Sequence, residues 1–529
     1  MTTSLPEVID ETPGPMADLY GDEYHDPVYH EKAKILNRAI QEIGMGRYQW
    51  YLFVVAGFGW FADSVWPLLS GLILTPVVNE FKFTSPFLSL ASNIGLLGGA
   101  VFWGLGCDIW GRRWSFNITL FIAGVFGLAS GGSPNFITLA ALIACVGLGV
   151  GGNMPVDSAV FLDFVPGSHQ YLLTILSVWF TLGQLLSSLI AWPLITNFSC
   201  SPTPENPACP RESNMGWRYL LFILGGLTLV FWALRFFVFT LLESPRFLVG
   251  IGRDAEAVEV IRQLAAFNGT ECTLDVQELQ AVGAVKAAAG SGASTPTEAG
   301  ESEMPVVEVI EARRRGVLSS GSKWNTSHIR ALFATPKMAY STTLLIVLWG
   351  IIGLASTLYN NFLPYLLQTR GAALGDGSLY ITYRNQLILS VIGVPGAFLA
   401  GWSVELPRVG RKGTLAISAG LTGAFLLATT TARTSNALLG WNCGYVFFSN
   451  IMYGVLYAIS PEIFPAKDRG TGNGLTSTAT RVFGVIAPII ALYANLTTSV
   501  PVYIAGGLIV FAGLLAMLIP YEPRGHVSI

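Results

Sequence analysis

The chain has 529 residues, and only 12% of them are Asp, Glu, Lys or Arg, against about 25% in soluble domains. With 52% hydrophobic residues it lacks the polar material to coat the several domains that a soluble chain of this length would form. A formal net charge of −3 gives no basic field for nucleic acid, and the 6 cysteines and 5 histidines show no metal-ligand spacing. This is the composition of a chain that crosses a membrane many times.

A bilayer core of about 30 Å needs about 20 mostly apolar residues per helix. Twelve stretches qualify, at roughly 51–78, 87–107, 115–132, 136–161, 171–196, 217–242, 339–363, 384–404, 413–432, 438–460, 471–494 and 500–520. Each is expected to be helical, because lipid offers no partner to free backbone groups. The fold class is therefore all-α, with 12 transmembrane helices. Residues 1–49 are polar and acidic with no cleavable signal, so the first span is expected to be an uncleaved anchor.

Lys and Arg in the connecting loops set the orientation. One set of loops carries Arg47, Arg112, Arg113, a central segment with Arg253, Arg262, Arg313, Arg314, Arg315 and Lys323, then Arg408, Arg411, Lys412, Lys467 and Arg469. The other set has little beyond Lys82, Arg211, Arg370 and Arg433. Both termini and the central segment are thus expected to be cytoplasmic, in the plasma membrane or an organelle membrane. The loop at 197–216 then lies on the far side. It holds the sequon Asn197-Phe198-Ser199 and the pair Cys200 and Cys209, so a glycan and a disulfide are both candidates there. Sequons also arise by chance: Asn268-Gly269-Thr270 and Asn325-Thr326-Ser327 fall on the cytoplasmic side.

The chain divides into a tail (1–49), a six-helix half (50–248), a cytoplasmic linker expected to be partly disordered (249–336), a second six-helix half (337–521) and a short tail (522–529). The linker opens with a short amphipathic helix over 253–267 and turns Ala/Gly/Ser/Thr-rich at 283–303. The two halves repeat. After span two comes Gly104-Leu-Gly-Cys-Asp108-Ile-Trp-Gly111-Arg112-Arg113, and after span eight Gly401-Trp-Ser-Val-Glu405-Leu-Pro-Arg-Val-Gly410-Arg411-Lys412. Asp163-Phe-Val-Pro166 follows span four, and Glu462-Ile-Phe-Pro465 with Arg469 follows span ten. Both signals recur at an offset of 299 residues (410 − 111 and 462 − 163), the mark of a duplicated unit. In such transporters the site lies between halves that rock around it. The acids Asp108, Asp163, Glu405 and Glu462, with Arg112, Arg113, Arg411 and Lys412, read as a cytoplasmic latch formed in one state and broken in the other.

The box from Gly104 to Arg113 resembles the loop-two motif of the major facilitator superfamily, with Ile109 where a base is usual. Glu243-Ser244-Pro245-Arg246-Phe247-Leu248 resembles the signature of its sugar-porter branch, which adds Glu243 and Arg246 to the latch. Ile43-Gly44-Met45-Gly46-Arg47-Tyr48-Gln49-Trp50, Ala62-Asp63 and Gly470-Thr471-Gly472-Asn473-Gly474 resemble the synaptic-vesicle-related and bacterial nicotinate-transporter-like members. The resemblance covers about 40–521. It implies two pseudo-symmetric six-helix halves, a secondary active transporter or facilitator, no nucleotide hydrolysis and no cofactor. Two positions depart from the pattern: Ile143 stands where span four often has an arginine, and Gln170-Tyr171 where the Asp163 box usually ends in Arg-Gly.

Ionisable groups at mid-depth cost about 2.5–3.5 kcal/mol and usually face a cavity. Asp63 lies about 18 Å into span one at the helical rise, with Gly59, Trp60, Trp66 and Pro67 on its face. It reads as a proton or substrate site, or else as a structural acid bonded to a neighbouring helix. Asp157 follows Asn153 by one turn in a Gly- and Pro-containing stretch of span four, which points both into the central cavity; a polar packing contact is the alternative. The run Gly147-Leu-Gly149-Val-Gly151-Gly152 matches a dinucleotide fingerprint in letters only, since no strand precedes it. Arg481 in span eleven would bind a carboxylate or balance a buried acid. Arg235, near the end of span six, is expected to snorkel. Gln184 and Trp179 in span five, and Trp349, Gly353, Ser356, Tyr359 and Asn360 in span seven, are further contacts, although such lone residues more often pack than bind.

These features lead to a proton-coupled symporter of a small organic solute, an organic anion by its charges, that works as a membrane-embedded monomer and needs no metal. The alternatives are a sugar or polyol facilitator, with Gln184, Asn360 and Asn361 as sparse amides, or a non-transporting membrane sensor. An enzyme is excluded by the lack of a catalytic constellation outside the spans, where His25, His30, His169, His328 and His526 lie in tails and loops.

Overall fold

A computed structural model describes residues 27–84, 86–200, 209–282, 329–330, 332–374, 377–404, 406, 409–464, 469–493 and 498–520. The expectations placed on residues 1–26 and 521–529, on 283–303, on Asn325 and on Glu405 lie outside the described residues, as do the side chains of Asp108 and Arg469.

Every regular element among the described residues is a helix. Helix α1 (Pro27–Ile43) precedes the first span, α2 (Arg47–Leu72), which is continued after a one-residue break by α3 (Leu74–Phe81). Then follow α4 (Pro86–Trp110), α5 (Arg112–Ser130), the broken fourth span α6 (Phe136–Val150) and α7 (Asn153–Phe164), the fifth span α8 (Leu172–Ile175) and α9 (Ser177–Phe198), and α10 (Gly216–Ala233). Helix α11 (Pro245–Gly250) leads to the linker, which opens, as expected, with helix α12 (Asp254–Asn268). The second half holds α13 (Pro336–Asn360), α14 (Leu363–Ala373), α15 (Leu379–Ser403), α16 (Gly410–Ala428), α17 (Ser435–Ile463), α18 (Arg469–Tyr493) and α19 (Val500–Ala516). Ten helical segments are long and apolar enough to cross a membrane, and Arg112–Ser130 and Val500–Ala516 complete 12 spans.

Local chemistry fixes the joints. Gly111 and Gly410 occupy equivalent turns, with φ of 98° and 59°, a region where a Cβ is penalised. Gly151 and Gly152 part α6 from α7. The sixth span departs from its expected end at 242: α10 stops at Ala233, a π-turn (Leu234–Val238) follows, and the chain is extended after it. The wider turn rotates Arg235 inward, so it is fully buried and does not snorkel.

The halves meet along two equivalent seams, α4 against α18 and α9 against α15. Both seams close at one end of the bundle, where Gly104 lies against Gly474 and Gly401 against Ile175. This end carries α11 and α12 and is here called the linker face. The opposite, disulfide face carries the bond between Cys200 and Cys209. There Tyr383 donates to the carbonyl of Leu72, and Asn361 Nδ2 donates to Ser89 Oγ at 2.8 Å. Both ends of the described chain lie at the linker face. Helix α1 is tied by Lys32 to Asp254, and Lys412 donates to the carbonyl of Ile519 at 2.8 Å.

Candidate functional site

Between the halves lies a cavity of about 150 Å3. The first half contributes Asp63, Ser64, Met154, Phe180 and Gln184, and the second contributes Trp349, Asn360, Gln386, Tyr457 and Arg481, among others. Of the residues singled out from sequence, Asp63, Pro67, Gln184, Trp349, Gly353, Ser356, Asn360, Asn361 and Arg481 therefore share one lining. Trp60, Asn153 and Asp157 do not border it.

Asp63 is buried on α2, and its Oδ2 accepts a hydrogen bond from the Met154 N–H at 2.9 Å. The break at Gly151 and Gly152 makes this possible. It exposes the first N–H groups of α7, and a carboxylate is favoured at such a positive helix end. Oδ1 of Asp63 has no hydrogen-bond partner among the described residues. Arg481 reaches the cavity from α18, half-buried, with its Nε likewise without a hydrogen-bond partner. An acid from one half and a base from the other thus border one small space.

The rest of the lining is aromatic and amide. Tyr457 packs on Trp60 at 5.1 Å, on Trp349 at 4.8 Å and on Tyr453 at 5.8 Å between ring centroids. Tyr445 donates to Asn360 Oδ1 at 2.9 Å, and Trp349 donates to Ser460 at 2.6 Å. Sequence reasoning missed Tyr445, Ser449, Tyr453 and Tyr457, which recur every four residues along one face of α17. That spacing was the available signal, masked because aromatic residues in an apolar span read as packing.

Asp157 and Asn153 depart from the expected place in the central cavity. Asp157 points into the first half and pairs with Arg235 at 2.9 Å, while Asn153 is buried beside it. Helical periodicity put the two on one face, and the break in span four decided which neighbour that face meets.

At the linker face, Arg112 is ion-paired with Asp163, and Arg411 with Glu462 at 2.6 Å. The two pairs are related by the same offset of 299 residues (411 − 112). Arg246 approaches Asp163 at 3.6 Å and binds Asn37 of α1, and Glu243 accepts from the Arg112 N–H at 3.1 Å. Arg113 is exposed. At the disulfide face Asn197 is exposed at the end of α9, whereas Asn268 is occupied at the linker face by Tyr48 and Gln49.

With this geometry in place, the likenesses are specific. The sequence matches the family described as "Sugar (and other) transporter" over residues 79–522. It is 68% identical to "MFS siderochrome iron transporter 1" of Ceriporiopsis subvermispora, over 97% of this chain and 94% of that one. It is 27% identical to "Niacin transporter NiaP" of Acinetobacter baylyi, over 86% of this chain and 89% of that one. Among solved structures, the proton:xylose symporter XylE bound to 6-bromo-6-deoxy-D-glucose has the same fold, with a TM-score of 0.66 at 18% identity, covering 91% of this chain and 98% of that one. The chain belongs to the sugar (and other) transporter family of the major facilitator superfamily and is a multi-pass secondary transporter, not an enzyme.

Proposed function

We propose that the protein carries a small planar organic anion, of the aromatic or heterocyclic carboxylate class, together with a proton held on Asp63. The observation that carries the reading is the shared lining by Asp63 and Arg481, with a buried Nε of Arg481 left unpartnered. A guanidinium in a half-dry pocket binds a carboxylate strongly, and Trp349, Tyr453 and Tyr457 offer faces for a ring. A cavity near 150 Å3 has room for about one ring, since an engineered cavity of that size takes up benzene. This favours a single-ring solute over an iron–siderochrome complex, and the niacin-transporting relative supports it. With the basic loops and the linker face cytoplasmic, the disulfide and Asn197 face the far side, and the chain acts as a monomer in lipid.

A second reading, a sugar or polyol carrier, is favoured by the amides Gln184, Asn360, Asn361, Gln386 and Asn450 around the same space. Uptake by proteoliposomes under an imposed pH gradient, with aromatic carboxylates and sugars side by side, separates the two. Carboxylate accumulation abolished by a protonophore is the expected result. Gradient-insensitive sugar flux without carboxylate flux would replace this reading with the second.

A further inference from the structure

Asp157 and Arg235 form a fully buried ion pair inside the first half, outside the cavity lining. The remaining donors of Arg235 go to backbone: Nε and Nη2 to the carbonyl of Val55 at 3.2 and 2.8 Å, and Nη1 to that of Phe116 at 2.6 Å. Its guanidinium also lies over the Phe116 ring at 3.6 Å. Alone, these contacts would make the pair a structural tie between the first, third, fourth and sixth spans.

The position of the pair relative to Asp63 says more. Gly59 is one turn before Asp63 on α2, and a Cβ there would overlap Asp157 Oδ2 and approach Arg235 Nη2 at 3.1 Å. Asn153 is one turn before Asp157 on α7, and the adjacent Met154 N–H is the group that binds Asp63. The turn from Gly59 to Asp63 therefore faces the turn from Asn153 to Asp157. Within that contact Asp63 Oδ1, Asp157 Oδ1 and both amide atoms of the fully buried Asn153 have no hydrogen-bond partner among the described residues. The charged and titratable groups acting on Asp63 are Asp157, Arg235, Arg481 and Tyr457 of α17. Helix α9, packed along α2, carries no titratable side chain.

We propose that Asp157 and Arg235 act as a positioning pair that keeps Asp63 exchangeable: Asp157 neutralises Arg235, so the charge of Asp63 is balanced across the cavity, by a proton or by Arg481, and not within its own half. This rests on the proton-coupled reading above. An opposite charge nearby favours an ionised carboxylate and a like charge disfavours it, so the two single variants move Asp63 in opposite directions. In Asp157→Asn the unpaired Arg235 holds Asp63 ionised. In Arg235→Gln the unpaired Asp157 repels its charge.

The test is the pH midpoint of gradient-driven uptake in proteoliposomes, with the transported carboxylate identified by the screen above. Asp157→Asn is expected to move the midpoint about one unit to acid, a tenfold higher proton requirement, and Arg235→Gln to move it to alkali. The neutral double variant returns it towards wild type, and Arg235→Lys stays near wild type. Should Arg235→Gln fail to fold, Asp157→Asn and the neutral double variant still give the comparison. Reduced rates or lower melting temperatures with unmoved midpoints would overturn the proposal and leave only a structural tie. A wild-type protein that transports with no pH dependence would overturn the proton-coupled reading as well.

Discussion

Asp63 and Met154 meet across the seam between spans one and four, carboxylate to backbone N–H, at 2.9 Å. This contact holds the acid at the cavity edge with one oxygen uncommitted. An acid so placed can take a proton without losing its anchor, because Oδ2 goes on accepting while Oδ1 changes state.

Asp63→Asn keeps that anchor and removes the charge. The fold should survive, since a neutral acceptor still meets the Met154 N–H and only the charge assistance of that bond is lost, on the order of 1 kcal/mol. Accumulation driven by a pH gradient should disappear, while counterflow exchange of substrate persists. Both are measured on one proteoliposome preparation. Intact gradient-driven uptake would remove Asp63 from the proton path.

Arg481 tests the anion. A guanidinium presents two parallel donors to a carboxylate where an ammonium presents a point charge, so Arg481→Lys is not conservative. Loss of a charge-assisted hydrogen bond of about 1.5–3 kcal/mol weakens half-saturation in counterflow by roughly ten- to a hundred-fold. An unchanged half-saturation would leave Arg481 as a structural counter-ion.

What the sequence revealed follows from how far each signal reaches. Apolar length and the offset of 299 residues gave the 12 spans and their duplication, and Gly111 and Gly410 recur as left-handed turns at that spacing. Asp63 and Arg481 were visible because a charge within an apolar run is costly wherever it points. The partner of Asp157 was not visible. Periodicity gives a face but not a neighbour, and the break at Gly151 and Gly152 re-aims the face. Arg235 was misplaced for a related reason: counting from the helix end assumes a regular helix, and the π-turn over Leu234–Val238 shifts the register. The tyrosines of α17 escaped because only burial against a cavity separates a lining ring from a packed one.

The contact of Gly104 with Gly474 gives a conformational prediction. A Cβ on Gly104 would lie 2.7 Å from the Gly474 Cα, so any side chain there pushes α4 from α18. Gly104→Leu should hold the linker face open. Cysteines introduced beside Arg481 should then label faster from that face, and net transport should fall at least tenfold. Wild-type labelling and transport would mean that this seam does not part during the cycle.

Glu80 gives the fold a stability contribution that acid removes. It accepts from both terminal nitrogens of Arg218 at 2.9 and 2.7 Å, from Trp217 Nε1 at 3.0 Å and from Asn214 Nδ2 at 3.0 Å. Asn214 in turn accepts from the Cys200 N–H at 3.3 Å, which joins the cluster to the disulfide loop. Burial alone would raise the Glu80 carboxyl, but the donors from Arg218, Trp217 and Asn214 outweigh it and hold it below its ordinary value. A carboxyl with a lower pKa folded than unfolded stabilises the fold above the unfolded value, near 4.5, and loses that contribution as pH falls through the folded value. Glu80→Gln leaves Arg218 buried without its counter-charge, a loss on the order of 3 kcal/mol at neutral pH. Thermal unfolding in detergent should therefore show a wide gap between wild type and variant at neutral pH. Acidification below the ordinary carboxylate range should narrow it, because the wild type surrenders there what the variant never had. A gap of equal size at both pH values would mean that the charge of Glu80 contributes nothing and that packing around Trp217 holds this corner.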